Sequence, residues 1–221
     1  QGGYWQPIPT GTVSSDGDSI DVEDELGFDR NEAATFMANL EHPVPLLPNV
    51  RVRHFSADDS AKGEVERSRT FRGVTFTRRE KVRSEYDLTT TDATFYYSPL
   101  NNWAQLDIGI TARRFDVEVL IESREDNDRE RAAGEAIIPM GHLGARFDLP
   151  LAGLYVSGDL DIISADDNSI TDTRAAVGYQ IIDNFEVEGG YRRLSLDIED
   201  VDDISADTDF EGGYVAATLR F

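Results

Sequence analysis

The sequence predicts an all-β chain, a transmembrane antiparallel up-and-down β-barrel of ten strands with eight as the fallback, forming one domain over residues 1–221. Three observations carry the prediction. Apolar residues recur at every second position through many short segments, the period of a strand with one apolar face. No apolar run approaches the roughly 18 residues of a membrane helix, and Val44-Pro-Leu-Leu-Pro48 is broken by proline. The segments are joined alternately by short connections and by long, charged ones, the asymmetry of barrels that cross an outer membrane.

Taken in chain order, a first strand lies around Gly3 to Thr12, followed by Ala34, Phe36, Ala38 and Leu40 on one face of a second. Val50 and Val52 then oppose Arg51 and Arg53, and Ala93, Phe95 and Tyr97 oppose Asp92, Thr94 and Tyr96. Ala104, Leu106, Ile108, Ile110 and Ala112 face away from Gln105, Asp107, Thr111 and Arg113. Ile137, Pro139, Gly141, Leu143, Ala145, Phe147 and Leu149 alternate with Met140, His142, Gly144, Arg146 and Asp148. Leu154, Val156, Gly158, Leu160 and Ile162 stand against Tyr155, Ser157, Asp159 and Asp161, and Thr173, Ala175, Val177, Tyr179 and Ile181 against Asp172, Arg174, Ala176, Gly178 and Gln180. Phe185, Val187, Gly189 and Tyr191 begin the next strand, and the last counts back from Phe221 through Leu219, Ala217, Val215 and Gly213. An even strand count places both termini on one side.

Two strands change phase part-way. Apolar residues move from odd to even positions at Leu194, Leu196 and Ile198, and Phe115, Val117 and Val119 take over after Arg113. Either a β-bulge, near Arg192 and Arg193 in the first case, or emergence from the bilayer produces such a change. The short connections are 42–49, 98–102, 150–153 and 183–184, and they orient the barrel with that end in the periplasm. Long loops are expected over 13–31, 56–85, 116–134, 163–171 and 198–209.

Composition narrows the function. Asp and Glu number 43 against 21 Lys and Arg, a formal charge of −22 that repels a phosphate backbone and argues against nucleic-acid binding. Cysteine is absent, so disulfides and thiolate chemistry are excluded. No cofactor is expected. Gln1-Gly-Gly-Tyr-Trp5 carries no charged segment leading into an apolar core, so any export signal has been removed before Gln1 or was never there.

Several segments carry a resemblance. Glu41-His-Pro-Val-Pro-Leu-Leu-Pro-Asn-Val-Arg51 and Gly190-Tyr-Arg-Arg-Leu-Ser-Leu-Asp-Ile-Glu-Asp-Val-Asp-Asp-Ile204, with Gly3-Tyr-Trp5, Leu149-Pro-Leu-Ala-Gly-Leu-Tyr155 and Val177-Gly-Tyr179, resemble a family of small proteobacterial outer-membrane β-barrel proteins. The resemblance covers most of the chain. It implies the bacterial outer membrane as location, export by a signal peptide, and no assigned biochemical activity. A terminal Phe221 after alternating apolar residues is similar to the assembly signal read by the barrel-assembly machinery.

Four groups of residues are candidates for function. The face opposite the apolar one gathers Arg51, Arg53, Arg113, Arg146, Arg174, Arg192 and Arg220 with Asp92, Asp107, Asp148, Asp159, Asp161, Asp172, Glu186 and Glu188. Paired across a narrow barrel these charges fill it; unpaired, they line a water-filled passage for ions or small solutes. About eight strands leave an interior filled by side chains and about sixteen an aqueous channel, so ten favours filling. A second group, Arg67, Arg69, Arg72, Arg78, Arg79, Lys81 and Arg83, matches phosphate geometry and suggests contact with lipopolysaccharide, or pairing with acidic neighbours. The acidic stretches from Asp16 to Glu25 and from Asp197 to Asp209 lack the spacing of a dedicated Ca²⁺ loop, which leaves solvated loops or Ca²⁺ and Mg²⁺ bridges to lipopolysaccharide. Last, His54, Ser56 and Asp58 share residue types with a hydrolase, but alternation holds His54 and Ser56 about 7 Å apart on one face.

The expected role is therefore structural or interactive, without catalysis. Outer-membrane lipids, lipopolysaccharide and, during biogenesis, the assembly machinery are the expected partners; a small-solute channel, or a barrel enzyme that hydrolyses lipid or peptide, is the alternative. Trp5, Trp103, Tyr96, Tyr97, Tyr155, Tyr179 and Phe147 are expected to form an interfacial aromatic girdle near the short turns.

Overall fold

The computed structural model describes residues 1–15, 18–22, 32–44, 46–64, 69–71, 74–76, 81–123, 129–150, 153–201 and 204–221. Its elements are β1 (Gly2–Trp5), β2 (Ile8–Ser15), β3 (Asp18–Asp21), β4 (Ala33–Leu40), β5 (Asn49–Glu64), β6 (Arg69–Phe71), β7 (Val74–Phe76), β8 (Lys81–Asn101), β9 (Ala104–Ser123), β10 (Arg129–Asp148), β11 (Leu154–Ala165), β12 (Asn168–Ile182), β13 (Phe185–Val201) and β14 (Ile204–Leu219). Ten of them, β1, β4, β5 and β8 to β14, pair in that order, and β1 closes the ring on β14 through Gly2↔Ala217 to Trp5↔Tyr214. β2 prolongs β1 along β14 in the same register, from Glu211↔Ile8 to Ile204↔Ser15, with Gln6 and Pro7 between them. β3 pairs with β2 outside the ring, and β6 and β7 form a separate hairpin.

Side chains alternate strictly across the closed wall. Tyr4, Phe36, Val52, Phe95, Ile108, Leu143, Val177 and Val215 face outward and are exposed, so a belt of apolar residues surrounds the ring near the end that bears the short turns and both termini. The intervening residues point into the lumen. β8 runs for 21 residues and β9 and β10 for 20 each, about twice the 9–11 residues that cross a bilayer.

The extra length changes character on both faces at one height. On β9 the outward row passes from Ile108 and Ile110 to Arg114, while the inward row passes from Asp107 and Arg113 to Phe115. On β13 the outward row passes from Val187 and Tyr191 to Arg193, while the inward row passes from Glu186 and Arg192 to Leu194. β5 repeats the exchange between Arg53 and Phe55, β8 between Asp92 and Leu88, and β12 between Asp172 and Ile170. The registers across these points are continuous, Arg113↔Ile138 followed by Phe115↔Ala136 and Arg192↔Gly212 followed by Leu194↔Phe210. No bulge therefore causes the phase changes in the sequence. The strand keeps its alternation, and what each face meets is exchanged.

The expected long loops are corrected by the same finding. Much of 56–85, 116–134, 163–171 and 198–209 is strand: β5 reaches Glu64, β9 reaches Ser123 and β13 reaches Val201. β11 and β12 are joined through Asp166 and Asp167, with Asp166 at φ 52° in the left-handed region that short turns require and that Asp tolerates. The two ends of the barrel differ by strand extension more than by loop length.

Beyond the belt the interior is an apolar core that includes Phe55, Leu88, Phe115, Ile170 and Leu194. Trp5 joins it edge-on to Phe55, with ring centroids 5.3 Å apart at 89°. Leu194 is fully buried there, so Leu194→Ala is expected to lower unfolding stability by about 2–5 kcal/mol in a denaturant titration of the folded barrel. Truncating the outward Ser164 to Ala is expected to change it by under about 0.5 kcal/mol.

Candidate functional site

Alternation places the charged residues of six strands in one cross-section of the lumen. At its centre Arg113 forks onto Asp92, with Nε to Oδ1 and Nη2 to Oδ2 both at 2.7 Å, and Nη2 also donates to Asp172 at 2.6 Å. Arg192 forks onto the same Asp172 at 3.0 and 2.8 Å. Arg53 Nη1 lies between Asp161, Asp172 and Asp92 at 3.4, 3.6 and 3.9 Å. Carboxylate oxygens of Asp92, Asp161 and Asp172 fall within 4.8 Å of one another, a spacing a cation could occupy. The guanidinium groups of Arg53 and Arg113 hold that position.

Asp161 also takes His142 Nδ1 at 2.7 Å and Thr111 Oγ1 at 2.8 Å. The other ring nitrogen of His142 lies 3.3 Å from Arg51 Nη1. Arginine nitrogens only donate, so the geometry sets Nε2 as the acceptor from Arg51 and Nδ1 as the donor toward Asp161. Arg51 continues the network to Asp159 at 2.8 Å and Asp107 at 3.3 Å.

Nearer the short turns, Arg146 grips Glu186 through two 3.0 Å bonds, and Arg220 adds a third at 3.1 Å. Arg174 and the Tyr155 hydroxyl donate to Glu188 at 3.3 and 3.1 Å. Asp148 pairs with Arg146 at the mouth at 3.0 Å, where the side chains of Asp148 and Arg220 are 51% and 54% exposed. The remaining members of the predicted lumen set are buried or nearly so.

Aromatic rings complete the packing. Arg146 lies 3.5 Å from the Tyr155 ring centroid, Arg174 4.7 Å from that of Tyr214, and Arg192 4.2 Å from Phe55 and 4.5 Å from Trp5. Trp5, Tyr96 and Tyr155 are thus buried in the lumen, which corrects their expected place in the girdle. They occupy the same alternating face as the charges and shield guanidinium groups from the wall. Tyr97, Trp103, Phe147 and Tyr179 do face outward at the belt's lower edge. Among the described residues Arg53 Nε and Nη2 and Arg113 Nη1 are buried donors without an acceptor, where the charged section meets the apolar core.

The other candidate groups come out differently. Arg67, Arg72, Arg78 and Arg79 lie outside the described residues, as do the side chains of Arg69 and Lys81, while Arg83 is exposed and pairs with Glu85 at 2.7 Å. Of the acidic stretches, Asp16, Glu23, Asp24, Glu25, Asp202 and Asp203 are likewise outside the description, and Asp209 pairs with Arg193 at 2.7 Å on the outward face. His54 Nδ1 bonds the Thr91 hydroxyl at 3.0 Å, and Ser56 bonds that of Thr89 at 2.9 Å. Both point outward and each is tied across to β8, so no base is presented to the Ser56 hydroxyl.

Reading the sequence missed the apolar core inside the extended barrel. Its signal was the shift of apolar residues at Phe115 and Leu194, which is the inward face turning apolar. No protein-family model and no curated protein matches the chain.

Breaking a buried pair leaves its partners uncompensated. Asp172→Asn, which removes the carboxylate Arg192 forks onto and leaves Arg113 to Asp92, is expected to cost about 3–5 kcal/mol by urea unfolding. Asp148→Asn at the exposed mouth is expected to cost under about 1 kcal/mol.

Proposed function

We propose that this chain is an integral barrel of a bacterial outer membrane, closed along its axis, that serves a structural or interaction role and catalyses no reaction. The observation that carries this reading is the interior. Seven arginines and eight carboxylates interlock across the lumen, and an apolar core fills the section beyond them. An ion entering from the end with the short turns would have to break the arginine forks and then cross a stretch lined mainly by apolar side chains such as Phe55, Leu88, Phe115 and Leu194.

The outward belt supports the membrane location, since apolar residues exposed around a closed sheet suit hydrocarbon and are costly in water. The extended end, with charged outward residues such as Arg114, Asp116, Glu118 and Arg193, then stands outside the cell, and the short turns lie in the periplasm. The resemblance to small proteobacterial outer-membrane barrels agrees with this placement. At the outer rim the described arginines are already engaged: Arg114 with Asp116 and Glu135, Arg131 with Glu118, and Arg193 with Asp209. Arg83 is likewise paired with Glu85, and contact with lipopolysaccharide phosphates is proposed for the rest of the basic stretch, Arg67 to Lys81, beside pairing with acidic neighbours.

Two measurements test the reading. Folded protein in a planar bilayer is expected to give a flat current trace, and reproducible unitary steps would overturn the closed lumen. In lipid vesicles, Ile108→Arg is expected to lower unfolding stability by about 2–4 kcal/mol, the cost of a cation near the middle of a barrel's apolar belt. A negligible cost would remove the bilayer from the outer surface.

A further inference from the structure

The segment Glu41-His-Pro-Val-Pro-Leu-Leu-Pro-Asn49 joins β4 to β5 and is rich in proline and leucine; Pro45 lies outside the described residues. Its apolar side chains are open: Leu46 is 85% exposed, Leu47 58% and Val44 49%. An ordinary water-facing turn is built from Gly, Pro, Asn, Asp or Ser, and this one sets a valine and two leucines among its prolines.

The turn is held in shape from within. The Val44 amide donates to His42 Nδ1 at 3.2 Å, so the proton of that imidazole sits on Nε2, which donates to the Pro48 carbonyl at 3.1 Å. The His42 amide bonds Asn49 Oδ1 at 3.3 Å, and the Leu47 amide bonds the Val44 carbonyl at 3.3 Å. One imidazole thus ties the start of the turn to its end, and the leucines are displayed on a formed loop.

A second bond decides which way the loop leans. The hydroxyl of Tyr97 donates to the Leu46 carbonyl at 3.1 Å. Tyr97 belongs to the outward row of β8 with Phe95, both exposed, whereas its neighbour Tyr96 points into the lumen and bonds Glu41. The turn is therefore fastened to the outer wall, beside the apolar belt. Leu40, Phe95, Tyr97 and Leu100 continue the same surface, and between Pro43 and Pro48 there is no charged residue.

We infer that this turn is a wedge in the periplasmic leaflet, with Val44, Leu46 and Leu47 among lipid acyl chains and the Tyr97 hydroxyl at the headgroup boundary. The inference rests on the reading that the belt spans a bilayer. Its occupant is lipid because the exposed leucines are continuous with a surface that already faces hydrocarbon, and because an amphipathic ring with its polar tip on a carbonyl suits the interface. A barrel carrying such a wedge is biased in depth and in tilt relative to that leaflet, beyond what a symmetric girdle provides.

The absence of cysteine makes a direct test available. Single variants Leu46→Cys, Leu47→Cys, Ile108→Cys and Asp183→Cys are nitroxide-labelled and folded into phosphatidylethanolamine–phosphatidylglycerol vesicles. Collision with apolar oxygen is then compared with collision with a water-soluble nickel chelate. Labels at 46 and 47 are expected to shift to the oxygen-dominated ratio of the label at 108, while 183, in the short turn between β12 and β13 at the same end, stays chelate-dominated. If 108 reads as lipid but 46 and 47 match 183, the wedge is overturned and the leucines are free for a periplasmic protein. If 108 itself reads as water, the spanning reading fails, and the wedge with it.

Discussion

Closure of the sheet is the constraint on which the rest depends. In hydrocarbon no water pairs with a backbone N–H or C=O, so a strand survives there only when both of its edges are occupied. The ring meets that demand at its weakest point, where the four residues of β1 bridge β4 and β14 through Gly2↔Phe36 and Gly2↔Ala217 to Trp5↔Ala33 and Trp5↔Tyr214. Gly3 is what permits so short a bridge: a Cβ there would stand 2.3 Å from the Val215 carbonyl oxygen. Once closed, the wall has no lateral freedom, and every side chain is either inside or outside.

A ring of ten strands leaves a lumen slightly wider than one that side chains fill unaided, and long side chains with branched ends span it best. Arginine does so while offering a fork to carboxylates from several strands at once, as Arg113 does for Asp92 and Asp172. Charges so placed are costly to desolvate, and the network is a poor argument for stability in itself. Its effect is to couple strands distant in sequence: Asp172 is held by Arg113 of β9, Arg192 of β13 and Arg53 of β5. A slip of any of these strands by one residue would send its arginine into the wall.

The belt strands and their order could be read from sequence because alternation there is a contest between one apolar and one charged row, as in Leu106, Ile108 and Ile110 against Asp107 and Arg113. The charged lumen residues followed from the same rows. What the rows could not supply was the pairing across the barrel, since whether Arg53 meets Asp161 or Asp107 depends on stagger between strands far apart in the chain. The extended half was misread for a physical reason. The stretch 116–134 reads as loop because its charges outnumber its apolar residues, although Phe115, Val117, Val119 and Ile121 keep period two into it. Tyr96, Tyr155 and Trp5 were placed in the girdle by residue type, against the phase of their own strands.

The exchange of faces explains why charge is used inside one half and apolar packing inside the other. A strand needs its two faces to differ, or register is lost. Where the outer face is apolar, the inner face must be polar to be told apart from it, and Arg53, Asp92, Arg113, Asp172 and Arg192 supply that difference. Where the outer face carries Arg114, Asp116 and Arg193, a polar interior would erase the distinction, and Phe55, Leu88, Phe115, Ile170 and Leu194 restore it. The height of the exchange is thus set by the outer environment, yet it is written on the inner face as well. On the reading that the belt spans a bilayer, the exchange that keeps the two faces distinct also gathers apolar side chains inside the barrel beyond the charged section.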